Sequence, residues 1–288
     1  MRCAALLLLI SALACIAPGQ VAPDSAAPAA VSPWTHSLVG LATLTQVSFK
    51  DWAQGGDNTL ALALTLDGKS KRTGEVLDWA NSYKFAFGQA RLGSQPLRKT
   101  DDKIELESIL TYKLGVFVNP YAAATLKTQF VQGYKYDNLG GKVDTVSGFF
   151  DPAYLTQSAG VGYQPVPEVK IRLGAALREV FTSKFNIYSD DPATPLEVEK
   201  TKVDGGIESV TDVQTTVMEN VLLTSKLELF ASFRDFEKVV VRSDNTLAAK
   251  INTYLTVNLN VQFIHEPSVS VRTQVKQTLA LGLSYTFL

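Results

Sequence analysis

The sequence predicts an all-β protein, a closed antiparallel up-and-down transmembrane β-barrel of about twelve strands with long extracellular loops and short periplasmic turns. Three observations lead to this prediction. The last stretch, residues 279–288, places large apolar side chains on one face and small ones on the other. The same alternation recurs along the chain, and the connections between alternating segments are long and short by turns. Because successive side chains of a strand point to opposite faces, such segments fit a wall between lipid and a crowded or wet interior.

The N-terminal residues are predicted to lie outside the barrel. An apolar run at residues 4–16 follows Arg2 and is too short to cross a bilayer as a helix, which is typical of a secretory signal peptide. We assign residues 1–19 to the signal, with cleavage between residues 17 and 22. Residues 20–33 are rich in Ala and Pro and are assigned to a flexible leader. The barrel is then predicted to span residues 34–288.

Cysteine usage and charge exclude several classes of function. Cys3 and Cys15 both lie in the predicted signal, so the mature chain is expected to have no disulfide, thiol nucleophile or cysteine-based metal site. Residues 12–14 resemble a lipoprotein cleavage box, and in that alternative Cys15 is a lipidated first residue. A net charge of -1 predicts no nucleic-acid partner, and two histidines leave little for a metal. No cofactor is expected.

Twelve segments carry the period-two alternation that predicts strands. They lie near residues 39–49, 60–66, 78–88, 103–114, 122–130, 155–163, 169–178, 207–217, 221–229, 247–252, 255–263 and 279–288. The first and the eighth have the weakest pattern. In lipid every backbone N–H and C=O must be bonded internally, and strands achieve this only in a closed barrel. The twelfth strand is therefore predicted to pair with the first.

The connections indicate which way the barrel faces. The first, third, fifth, seventh and eleventh are predicted to be long, at residues 50–58, 91–101, 135–152, 182–205 and 265–274. The even-numbered ones are shorter, and the ninth, near residues 234–237, is short where the pattern requires a long one unless strand ten begins near Thr246. Asp67-Gly68 and residues 55–58 are predicted turns, because glycine adopts positive φ. Short turns at one end are typical of the periplasmic side.

Two sets of side chains are predicted from the faces of these strands. Aromatic residues near strand ends are predicted to form girdles at the two membrane interfaces, because such rings are amphipathic. They are Trp34, Trp52, Trp79, Tyr83, Tyr112, Tyr121, Tyr285 and Phe287. Polar and charged residues opposite the apolar faces are predicted to line the lumen. They are Lys103, Glu105, Glu107, Lys113, Lys127, Gln129, Lys170, Arg172, Arg178, Lys226, Glu228, Arg242 and Lys250.

Basic residues outnumber acidic ones in the predicted lumen set, which admits two interpretations. The set could line a narrow aqueous path that favours anions. It could equally form a web of ion pairs that fills the barrel and leaves no open path. The small inward residues Ala280, Gly282 and Ser284 are expected to leave space for charged side chains from the strand at residues 103–113.

Several segments, taken in order after Trp34, resemble an uncharacterised family of bacterial outer-membrane barrels of the Bacteroidetes and Chlorobi type. They are residues 46–58, 99–103, 128–130, 147–154 and 282–287. The resemblance implies a barrel in the bacterial outer membrane. The family has no assigned activity, so no catalytic residue carries over. The Tyr-x-Phe ending also resembles the signal that barrel-assembly machinery recognises, followed here by Leu288.

The function predicted from these features is a passive porin-like channel or a structural protein of the outer membrane. Its expected partners are outer-membrane lipid, the barrel-assembly machinery during insertion, and a small solute or ion. A second hypothesis is a binding or adhesion protein that uses the loops at residues 135–152 and 182–205. A third is a lipid-modifying enzyme, for which His265 is the candidate. Pro267 interrupts that strand and no His-x-Ser spacing follows, so no catalytic residue is assigned.

Overall fold

A computed structural model describes residues 33–49, 57–137, 141–190, 194, 196–267 and 270–287. The predicted signal peptide and most of the leader lie outside these residues, as do Cys3, Cys15, Trp52 and Leu288. Among the described residues, no helix has the length and apolar character needed to cross a bilayer.

Twelve antiparallel strands close into a barrel, which confirms the predicted fold class. They are β1 (Trp34–Val47), β2 (Thr59–Thr73), β3 (Leu77–Leu92), β4 (Arg98–Tyr112), β5 (Val118–Thr128), β8 (Ala153–Val166), β9 (Val169–Phe181), β10 (Thr201–Met218), β11 (Val221–Ser232), β12 (Asp235–Lys250), β13 (Leu255–His265) and β14 (Gln274–Thr286). The fifth connection holds a separate two-stranded sheet of β6 (Gly133–Tyr136) and β7 (Lys142–Ser147). A 3-10 turn, Asn186–Tyr188, lies in the seventh connection.

The first and last strands pair and close the barrel, as predicted. Residues 39–43 of β1 pair with residues 282–286 of β14, whereas all of β1 pairs with β2. A Cβ atom on Gly282 would lie 2.6 Å from Cγ2 of Thr43, so this glycine permits the close approach of the two strands. The space beside Gly282 is therefore filled by β1, and not by charged side chains from residues 103–113 as predicted for this position.

The outer face of the barrel is apolar. Leu62, Leu64 and Leu66 of β2 are exposed there, as are Leu281 and Leu283 of β14. In water such rows would leave a large apolar surface uncovered, whereas lipid tails cover it at no cost. The outer face therefore suits a membrane.

The predicted turn at Asp67-Gly68 is wrong, because β2 continues to Thr73 in register with β3. Asp67 lies opposite Lys84 on the inner face, where a charge has a partner. Gly68 lies opposite Tyr83, and a Cβ there would be 3.2 Å from Cδ2 of that ring. The alternation ends after Leu66 because polar residues then occupy both faces, which hides the rest of the strand from a pattern search.

Connection lengths agree with the prediction at most positions. The first, fifth, seventh and eleventh connections are long, at residues 48–58, 129–152, 182–200 and 266–273. The third, at residues 93–97, is no longer than the fourth at 113–117, because β3 and β4 extend into the predicted loop. The ninth, at residues 233–234, is a tight turn, since β12 begins at Asp235 and not near Thr246. We refer below to the loop end and the short-turn end of the barrel.

Candidate functional site

The strand registers place alternating charges on the inner wall of the barrel. Asp67 of β2 lies opposite Lys84 of β3, Lys84 opposite Glu105 of β4, and Glu105 opposite Lys127 of β5. Opposite charges on directly paired residues attract each other across neighbouring strands. This third of the wall therefore carries a lateral row of charges that alternate in sign.

Ion pairs also join strands on opposite sides of the barrel. Lys226 of β11 lies 3.0 Å from Glu107 and 3.6 Å from Glu105, both on β4. Four strands separate β4 from β11 one way round the barrel and six the other way. Lys127 of β5 pairs in the same manner with Glu228 of β11. The side chains therefore meet across the interior at this level.

Ten charged side chains inside the barrel are connected by ion pairs, and we call this set the central network. It contains equal numbers of basic and acidic groups. Its members are Lys84, Lys103, Lys127, Arg172, Lys226, Glu105, Glu107, Asp212, Glu228 and Asp244. Arg172 donates to Glu107 at 2.7 Å, and both side chains are less than 10% exposed. Charges this deeply buried require partners, and here each has at least one.

The excess of basic residues in the predicted lumen set therefore does not extend to the central network. The prediction missed two acidic members, Asp212 and Asp244. Asp212 lies in β10, which corresponds to one of the two strands with the weakest predicted pattern, and Asp244 lies in β12, whose predicted start is too late. The signal that could have found them is the set of inward basic residues, each of which needs a counter-charge.

A second cluster lies towards the loop end. Glu266, in the eleventh connection, accepts hydrogen bonds from Arg178 at 2.7 Å and Arg242 at 2.8 Å. The ring of Tyr154 lies 5.2 Å and 4.9 Å from the two guanidinium carbons. Burial alone would raise the pKa of Glu266, but the two arginines outweigh it and lower the pKa to about 2. Glu266 therefore stays ionised and links a loop to β9 and β12.

Three other residues of the predicted lumen set lie near the short-turn end. Lys113 follows β4, where it pairs with Asp78 at 2.8 Å. Lys170 and Lys250 point inward from β9 and β12 and form no ion pair with a described residue.

Gln129, another member of the predicted lumen set, lies at the loop end of the barrel. This residue follows the end of β5, and its amide accepts from Ser147 at 3.0 Å and donates to the carbonyl of Asp151 at 3.0 Å. It therefore holds the fifth connection together at the loop end.

The girdle assignment of Tyr121 is wrong. Tyr121 lies inside the barrel and is 5% exposed, with the Arg172 guanidinium carbon 5.6 Å from its ring. It lies opposite Gly160, and a Cβ on the neighbouring Gly174 would be 2.9 Å from its hydroxyl oxygen. The two glycines leave the room that the inward ring occupies, which the position of the tyrosine at a strand end does not reveal.

The other described girdle candidates form one band in the half of the barrel nearer the short turns. They are Trp34, Trp79, Tyr83, Tyr112, Tyr285 and Phe287. Trp34 contacts Trp79 with ring centroids 5.3 Å apart, and the rings of Tyr285 and Phe287 are 4.8 Å apart. At the loop end, the rings of Phe233 and Phe236 contact each other, and the predicted girdles include neither residue.

The loop end contains a cavity of about 710 Å³, which we call the loop-end cavity. It lies between the fifth and seventh connections and the adjoining ends of β3 and β4. Its aromatic lining consists of Phe130, Tyr134, Tyr136, Phe149, Phe150 and Phe185. Its polar lining includes Gln89, Lys99, Gln132, Lys142, Asp151 and Lys184.

The geometry around His265 offers little to the enzyme hypothesis. His265 ends β13 on the outer face, and its Nδ1 lies 3.2 Å from the hydroxyl of Thr273. Ser268 lies outside the described residues. Within the described ranges, no group of three or more His, Cys, Asp or Glu side chains is arranged to hold a metal ion.

Known proteins resemble this chain only distantly. A family model described as "Protein of unknown function (DUF3078)" matches residues 44–134, which include three of the segments that resemble an uncharacterised barrel family. No curated protein matches the chain.

Two solved structures illustrate the likeness in fold. The outer membrane channel COG4313 from Pseudomonas putida F1 is 11% identical over 93% of this chain and 99% of that one, with a TM-score of 0.41. The translocator domain of the autotransporter NalP from Neisseria meningitidis is 11% identical over 88% and 87%, with a TM-score of 0.37. At these values the likeness implies nothing about activity.

Proposed function

We propose that this chain is a β-barrel of the bacterial outer membrane, exported by its N-terminal signal and inserted by barrel-assembly machinery. Three features support the location: the closed barrel, the leucine-rich outer face and the aromatic band near the short turns. In this orientation the short turns face the periplasm and the loop end faces the medium.

We further propose that the barrel is non-conducting at rest and acts as a membrane anchor for a binding surface at the loop end. The observation that carries this proposal is the central network, whose ion pairs cross the interior from β4 to β11. An open pore would require several buried pairs to separate together. Leaving even one buried charge without its partner costs about 3–5 kcal/mol. The network thus favours the closed state.

A gated anion channel is the second candidate, and the short-turn end favours it. Lys69, Lys71 and Lys170 point inward there and form no ion pair with a described residue. A cavity of about 40 Å³ lies within the network, lined by residues such as Lys127 and Arg172. Rearrangement of the network would join this cavity to the lysine-lined end and create a path that selects anions.

Planar-bilayer conductance of the refolded mature chain separates the two candidates. For the closed barrel we expect no stepwise conductance at neutral pH, and we expect steps when Lys226→Ala and Glu107→Ala are combined, because this removes volume from the interior while leaving its charge balanced. Combined Lys113→Ala and Asp78→Ala is the matched control, since that pair lies outside the central network. Heat-modifiable gel migration confirms that each barrel is folded.

Steady steps in the wild-type chain would contradict the closed barrel. If Lys69→Glu together with Lys71→Glu then shifted selectivity from anions to cations, the channel would be the correct function.

A further inference from the structure

Hydrogen bonds from backbone N–H groups to buried carboxylates hold the walls of the loop-end cavity in place. Asp102 of β4 accepts from the backbone N–H of Phe130 at 2.7 Å and of Val131 at 2.9 Å. Asp151 accepts from the N–H of Lys184 at 2.7 Å, which ties the fifth connection to the seventh. The cavity is therefore pre-formed, as ligand sites usually are.

A strained turn presents two phenyl rings at this cavity. In residues 148–151, the N–H of Gly148 donates to the carbonyl of Asp151 at 2.8 Å, and the reverse bond measures 3.2 Å. Phe150 has φ of 57°, a left-handed conformation that favours glycine and is rare for a bulky residue. Phe149 and Phe150 are 67% and 44% exposed, with ring centroids 5.8 Å apart. Strain of this kind clusters at ligand sites.

The charged groups of the cavity define what else a ligand must offer. Lys142 and Lys184 line it and form no ion pair with a described residue, and Lys142 Nζ lies 3.7 Å from the centre of the Tyr134 ring. Asp151 is 5% exposed, and its Oδ1 has no hydrogen-bond partner among the described residues. Because that oxygen is closed to solvent, the charged groups left for a ligand are the two lysines, and a fitting ligand carries negative charge for them.

We propose that the loop-end cavity binds a saccharide that carries an anionic substituent, such as a uronate or a phosphate. The flat faces of the phenyl and phenol rings pack against the C–H face of a sugar ring. Gln89 and Gln132 bond its hydroxyls, and Lys142 and Lys184 bind the anionic group. The cavity volume of about 710 Å³ lies within the range of small-molecule sites.

A purely apolar ligand does not fit this lining. A fatty acyl chain would remove water from Lys142 and Lys184 without replacing the hydrogen bonds of that water, which is unfavourable. The inference rests on the proposed function in one respect, that the loop end faces the medium.

The test uses the refolded mature chain in detergent micelles. An array of uronate-bearing, phosphate-bearing and uncharged oligosaccharides is probed first, and the two anionic arms show which substituent is recognised. For uronates, titration calorimetry then compares trigalacturonate with its methyl ester, which has the same rings without the charge. For phosphates, the phosphorylated oligosaccharide is compared with its dephosphorylated form. We expect the anionic ligand to bind at least tenfold more tightly.

Two variants and one control connect binding to the cavity. Phe150→Gly removes a ring and relieves the positive φ, so the turn should still fold, and we expect at least a tenfold loss of affinity. Lys142→Gln with Lys184→Gln should reduce the preference for the anionic ligand at least tenfold. Phe236→Ala alters an exposed ring at the loop end of β12, outside the cavity lining, and should leave affinity within twofold.

The inference is overturned if no anionic glycan binds, or if Phe150→Gly binds as tightly as the wild type. Conductance measured on the same preparation keeps the two proposals separate. A silent barrel that binds no glycan refutes only the saccharide site, whereas a conducting barrel that binds one refutes only the closed lumen.

Discussion

Neutralising Lys226 should destabilise the barrel more than any change to an exposed charge. Its Nζ lies 3.0 Å from Glu107, 3.4 Å from Glu228 and 3.6 Å from Glu105, and its side chain is 19% exposed. The change Lys226→Met keeps the length of the side chain and leaves three buried carboxylates with one cation fewer.

The magnitude follows from what the three carboxylates retain. Removing one partner of a buried pair costs about 3–5 kcal/mol. Glu107 keeps Arg172 at 2.7 Å, and the other two carboxylates keep Lys127. We therefore expect the lower end of the range, a loss of about 3 kcal/mol in the free energy of unfolding.

The assay is urea unfolding of the chain in lipid vesicles, followed by tryptophan fluorescence. The loss should lower the midpoint by about 1 M urea or more. Lys238→Met is the control, because its pair with Asp235 is largely exposed and should not change the midpoint measurably. Adding Glu107→Gln to Lys226→Met should cost less than the sum of the single changes. A midpoint for Lys226→Met equal to that of the wild type would refute a stabilising network.

Two further predictions concern closure and pH. Gly282→Val should prevent the pairing of β1 with β14 and abolish heat-modifiable gel migration, because even a Cβ would lie 2.6 Å from Thr43. Gly162→Ala is the control and should migrate normally, since the nearest atom to its Cβ is 3.6 Å away. A heat-modifiable Gly282→Val barrel would disprove the contact. Glu266 has a folded-state pKa of about 2 against an ordinary 4.5, so its stabilisation is present above about pH 4.5 and is lost as pH falls towards 2. The stability difference between wild type and Glu266→Gln should shrink over that window, and a difference that does not change with pH would contradict the two arginine contacts.

The sequence predicts the wall of this barrel better than its interior. A strand facing lipid can be recognised from a short stretch of sequence, because apolar residues such as Leu279, Leu281 and Leu283 occupy every second position. Closure also follows from general physics, since lipid leaves no backbone group unbonded. The extension of β2 past Asp67 was missed because both of its faces are polar there.

Contacts across the interior depend on how the strands are staggered, which no local pattern records. The pairing of Lys226 with Glu107 joins residues far apart in sequence, and neither neighbourhood indicates the other. Tyr121 points inward because Gly160 and Gly174 leave room for its ring. Glu266 directly follows β13, and the sequence around it does not indicate its role. That role depends on Arg178 and Arg242, which belong to two other strands.

The short pairing of β1 with β14 makes backbone hydrogen bonding unequal around the barrel wall. Residues 44–47 of β1 pair with β2 on one side and have no partner in β14 on the other. The pairing of β1 with β14 is therefore absent towards the loop end and present only near the short-turn end. Backbone amides of β1 along this unpaired stretch have fewer hydrogen-bond partners, so they should exchange with deuterated solvent first. Any lateral opening of the barrel would begin there, between its first and last strands.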